Sequence, residues 1–142
     1  MKTFARILLL PLLALIAAGC SDLGLGTGAG EVVGLTIEDA GGNTVASVAS
    51  SGAVSGTVTV PRFQQRELRV VLRGAGGVVT PALGDVVRVT ITNTQVASWM
   101  GEFDGAGTLT GSAAGGTTSM RVDLISGGTA VYTSPAITVQ VS

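Results

Sequence analysis

The sequence has no histidine, a single cysteine, and no lysine after Lys2. Histidine is the side chain that titrates near neutral pH, and it is the commonest metal ligand. Without it the usual general base of a hydrolase is missing, and zinc finds neither an imidazole nor a thiolate cluster. One cysteine cannot close an intrachain disulfide, so packing must supply the stability. Charged residues make up only 12% of the chain and aromatic residues 4%. From Cys20 onward six arginines stand against nine acids, a formal charge of −3, far from the clustered basic face that nucleic acid requires. After residue 20 no segment keeps a helical apolar period through three turns.

What is abundant points to strands. Valine and threonine together supply 36 of the 142 residues, and β-branched side chains suit a pleated, half-buried surface. Another 22 residues are glycines, spaced as punctuation between short apolar runs. The expected fold is all-β, and the length beyond residue 20 fits one domain.

The amino terminus has a different character. Lys2 and Arg6 precede a twelve-residue apolar run, Ile7 to Ala18, interrupted by Pro11. A helix crossing about 30 Å of hydrocarbon needs roughly 20 apolar residues, so this run matches the core of a secretory signal instead. It ends in Leu15-Ile16-Ala17-Ala18-Gly19-Cys20, which resembles the lipobox of bacterial lipoproteins, with Ala17 where a leucine is usual. The resemblance implies that residues 1–19 are a cleaved signal peptide and that Cys20 carries acyl chains anchoring the protein to a membrane. It also implies a cell-envelope location, with Ser21 after the cysteine resembling an outer-membrane sorting signal. An ordinary cleaved leader that leaves a free thiol is the alternative. Residues 20–30, with Gly24, Gly26, Gly28 and Gly30 among small neighbours, read as a flexible tether. No strand pattern precedes those glycines and no helix pattern follows, so they make no phosphate loop.

Residues 31–142 read as the folded domain. Glu31–Glu38 and Thr44–Ala49 form an expected hairpin around Asp39-Ala40-Gly41-Gly42-Asn43, whose Asp and Asn suit a tight turn rather than calcium. Val54–Val60 reads as one strand, with Val54, Val58 and Val60 inward and Gly56 in their row, ended by Pro61. Arg66–Arg73 alternates most clearly: Leu68, Val70 and Leu72 on one face, Glu67, Arg69, Val71 and Arg73 on the other. That charged side reads as a solvated sheet face with cross-strand acids nearby. Val78–Thr80 is a short edge candidate. Val86–Thr92, Ser119–Ile125, Ala130–Thr133 and Ile137–Val141 complete the series. Short alternating strands at this spacing predict a sandwich of two antiparallel sheets with about 7–9 strands.

Four phrases in order, Leu68–Leu72, Asn93–Ser98, Gly107–Thr118 and Ala136–Val141, resemble the bacterial immunoglobulin-like domains of group 2 found in invasin- and intimin-type proteins. The resemblance implies an Ig-like β-sandwich serving as a surface module, to which residues 31–49 add a hairpin. Those domains often carry a tryptophan in the strand occupied here by Val86–Thr92, whereas this chain has Trp99 at the next strand's end.

Catalytic chemistry finds few candidates. Serines have no histidine to activate them, and no catalytic residue, metal centre or cofactor is expected. Glu102 and Asp104 are the only acids close together in a loop. The expected function is therefore a non-catalytic envelope lipoprotein, its membrane contact made through acylated Cys20 and its sandwich acting as a structural or protein-interaction module. The alternative is a polysaccharide- or calcium-binding module that uses Trp99, Glu102 and Asp104, with Trp99 itself expected to be core or half-buried.

Overall fold

The computed structural model describes residues 30–142. The lipobox-like hexapeptide, Cys20 and the tether up to residue 29 lie outside the described residues.

Strands account for all the regular structure in this range, as the β-branched composition dictates. In chain order they are β1 (Val32–Asp39), β2 (Thr44–Val48), β3 (Val54–Gly56), β4 (Val58–Val60), β5 (Gln65–Gly74) and β6 (Gly77–Val79). They continue with β7 (Val86–Ile91), β8 (Ala97–Gly101), β9 (Ala106–Gly111), β10 (Gly116–Ser126), β11 (Thr129–Thr133) and β12 (Ile137–Val141). Two sheets form. The first runs β3-β2-β1-β5-β9-β8, with β6 also on β5; the second runs β11-β10-β12-β4, with β7 also on β10.

Each sheet is built around its longest strand. β5 pairs along one edge with β1, from Asp39↔Leu68 to Val32↔Gly74. Its other edge is shared by β9, which covers Gln65 to Arg69, and β6, which covers Leu72 to Gly74. Between those two, the Val70 N–H donates to the Gly105 carbonyl at 3.0 Å. In the second sheet β7 lies along Met120–Ile125 of β10, and β12 and β11 follow one another on the opposite edge. The alternating residues of the two sheets meet in one core. Leu35, Ile37, Leu68, Leu72 and Leu109 come from the first sheet, and Val58, Val60, Met120, Val122, Leu124, Ile137 and Val139 from the second, all at most 3% exposed.

The sandwich of facing sheets is as expected, and three details differ. There are twelve strands among the described residues rather than 7–9, because three-residue segments pair at sheet edges where no long alternation announces them. One pair is parallel: β4 lies beside β12, Val58 opposite Val139. And Val54–Val60 is not one strand. Val54 is exposed and belongs to β3 in the first sheet, while Val58 and Val60 are fully buried in the second. The break falls at Gly56, whose φ of 83° and close approach to the Val45 carbonyl exclude a side chain. The chain steps there from one sheet to the other.

Candidate functional site

The loop singled out by sequence, residues 99–104, is the hairpin joining β8 to β9. Trp99 stands opposite Leu109, in the same register as the fully buried Ala97, and so faces the core side of an edge strand. Gly101 and Gly107 are opposite one another just beyond. A Cβ on either would collide with the indole, at Nε1 and Cζ2 respectively. The ring therefore lies across two bare backbones, a glycine platform covered by an aromatic. Trp99 is half-buried against the core, in agreement with the sequence expectation.

The acids of this loop go elsewhere. The Glu102 N–H donates to the Ala106 carbonyl at 2.7 Å and closes the hairpin, and Asp104 Oδ1 accepts from the Ala106 N–H at 2.9 Å. Gly105 takes φ 88° with the site of its missing side chain against Val70 and Val87, and the Phe103 carbonyl accepts from the Val87 N–H at 2.8 Å. Glu102 lines an open groove of about 660 Å³ with Glu38, Asp39, Glu67, Arg69 and Met100. Asp104 lines different grooves, beside Leu83 and Phe103 and beside Val78 and Pro81. The fold thus separates the three candidates: Trp99 inward, Glu102 to one groove, Asp104 to others. Among the described residues no three His, Cys, Asp or Glu side chains converge.

Elsewhere several ionic groups engage one another or the backbone. The three arginines of β5 each have an acid: Arg66 with Asp39 at 3.8 Å, Arg69 with Asp104 at 4.0 Å, Arg73 with Glu38 at 3.4 Å. Asp39 also accepts from the Gly41 and Asn43 N–H groups, both at 2.9 Å. The Asn43 amide is the main cause that holds this carboxyl below its usual range, against the opposing effect of desolvation. That is turn chemistry, as the sequence suggested. Asp123 is the buried acid. Burial pushes its pKa up, but hydrogen bonds from Arg88 at 2.8 Å and Thr133 at 2.7 Å outweigh this and leave it lowered.

Two features escaped the sequence reading. The Tyr132 hydroxyl is buried with no hydrogen-bond partner, and burial raises its pKa. Large apolar side chains also project into solvent, with Leu83 fully exposed and Phe103 and Met100 about as bare. Leu83 has a local cause. The Asp85 N–H donates to the Ala82 carbonyl and the Asp85 carboxylate accepts from the Ala82 N–H, both at 3.0 Å. With Gly84 at φ 93° this is a tight turn that holds Leu83 at its tip. A leucine within Pro81-Ala82-Leu83-Gly84-Asp85 was the available signal.

No family model matches the chain, and no curated protein matches it significantly. Among solved structures it is similar to domains 4 and 5 of the S-layer protein SbsC, with 22% identity and a TM-score of 0.45. The match covers 61% of this chain and 47% of that one.

Proposed function

We propose that this chain is a non-catalytic cell-envelope lipoprotein, held at a bilayer through acylated Cys20, whose Ig-like sandwich acts as a structural or protein-interaction module. The observation that carries the reading is Leu15–Cys20, a lipobox-like hexapeptide behind an apolar leader and ten residues ahead of the described domain. The all-β sandwich is consistent with a bacterial Ig-like domain, and the four phrases of that resemblance fall on or beside β5, β8, β9 and β12. Three arginine–acid pairs on β5 and one between β7 and β10 engage four of the six described arginines, and the chain has no histidine to activate a nucleophile. Calcium or polysaccharide recognition by the 99–104 loop is the weaker reading, since its tryptophan faces inward and its acids line different grooves. Intact mass of the protein extracted from its native membrane tests the anchor. An N-terminal cysteine bearing acyl chains is expected, and a bare thiol there overturns the reading.

A further inference from the structure

The exposed apolar residues are unevenly placed. Seven large ones project from the described domain, and four of them, Val78, Leu83, Phe103 and Val131, gather at or beside the end where the chain enters β1. Adjoining grooves establish this. Gly30 lines one with Asp85 and Val131 and a second with Val78 and Thr80, while Leu83 and Phe103 share a third with Asp85. The register agrees: Val32 is opposite Gly74 at this end, and Asp39 is opposite Leu68 toward the other. Leu83 and Phe103, 107% and 76% exposed, stand clear of the body rather than resting on it.

Chain length says what lies nearby. Ten residues separate Cys20 from Gly30, and ten residues reach at most about 36 Å when fully extended. A lipid on Cys20 therefore keeps the Gly30 end within about 36 Å of the bilayer. An eight-residue strand such as β1 places the opposite end roughly 25 Å further along. Charge says how the contact is made. Glu31, Asp85 and Asp104 lie here, and the arginines nearby are engaged, Arg69 by Asp104 and Arg73, opposite Val78, by Glu38; with no lysine after Lys2, this end has little net positive charge to attract anionic headgroups.

We propose that this end of the sandwich docks on the same bilayer that holds Cys20, with Leu83 and Phe103 entering the boundary between headgroups and acyl chains. The inference rests on the lipid-anchor reading. It makes the anchored domain an oriented body, standing on its apolar end and presenting the Phe63 end and the 40–43 turn outward.

The test uses the acylated full-length mature chain in phosphatidylcholine vesicles, with Leu83→Cys or Phe63→Cys carrying an environment-sensitive fluorophore. Acylation occupies Cys20, so the introduced thiol is the only one free to react. Docking predicts that a nitroxide on the lipid quenches the probe at position 83 several-fold more than at 63, with little change between low and high salt. Unmodified Cys20, or protein that fails to float with vesicles, removes the anchor and the docking together. Floating protein with equal quenching at both positions overturns the docking alone. So does shielding of position 83 that depends on protein concentration and not on lipid, which would assign the patch to a second copy. Adding Phe103→Ser to both labelled proteins should diminish the contrast in quenching without changing flotation or the melting midpoint, because that side chain is solvent-exposed in the fold.

Discussion

At the scale of single residues, the energetics concentrate where a backbone has no room or a charge has no water. Gly107 is such a place, because a methyl group there meets the Trp99 ring, the Gly101 Cα at 2.6 Å and the Met100 carbonyl at 2.7 Å. Gly107→Ala should cost about 1–3 kcal/mol by overpacking and alter the near-ultraviolet signal of the lone tryptophan. Gly76→Ala, with nothing within 4 Å of the added carbon, should stay within about 0.5 kcal/mol. Paired denaturation curves of the two variants check this. Asp123 is the second place. Its folded pKa lies below the ordinary 3.8, so the unfolded chain binds the proton more readily. The stabilisation is therefore present above the unfolded value and is lost as pH falls through the depressed folded one. Asp123→Ala should lose about 1.5–3 kcal/mol at neutral pH, the range for hydrogen bonds to a charged group, and should flatten the acid limb of the stability profile. An unchanged acid limb would mean that another carboxyl governs it.

At the scale of elements, pairing predicts a gradient of protection. β10 has neighbours along both edges, with β7 on one and β12 then β11 on the other, and Met120, Val122 and Leu124 are at most 1% exposed. β3 and β6 have three residues and one partner each. Hydrogen exchange should therefore be slowest through Met120–Leu124 and fastest in β3 and β6; equal rates across these elements would contradict the pairing. The strands that could be read from sequence lie inside the sheets, toward the slow end of this ordering. β5, β10 and β12 alternate cleanly because one face must be apolar, so periodicity alone exposes them. The step between sheets at Gly56 was not legible for a physical reason. Val54, Gly56, Val58 and Val60 keep the same parity on both sides of the break, so alternation continues although the partner sheet changes. The glycine's left-handed backbone carries that information, and it leaves no mark on a hydrophobic pattern.

At the scale of the whole molecule, the fold class was legible and the candidate site was legible only in part. Trp99 could be placed near the core because a lone large aromatic in a valine-rich sheet has most to gain from burial. The separation of Glu102 from Asp104 could not, since it depends on Gly105 turning the chain between Val70 and Val87. That separation has a consequence in solution: millimolar calcium should leave the melting midpoint unchanged, and a rise would show that the loop rearranges to gather its acids. The parallel pair at the margin of the second sheet reaches further. β4 has β12 as its strand neighbour there, and Val58 waits for Val139, 81 positions later. Until that late segment has been synthesised, the residues that cap this side of the interior have nothing to zip onto. A chain still emerging from the ribosome would thus stay pliant along this margin, and the sandwich would close only once its last strand is free.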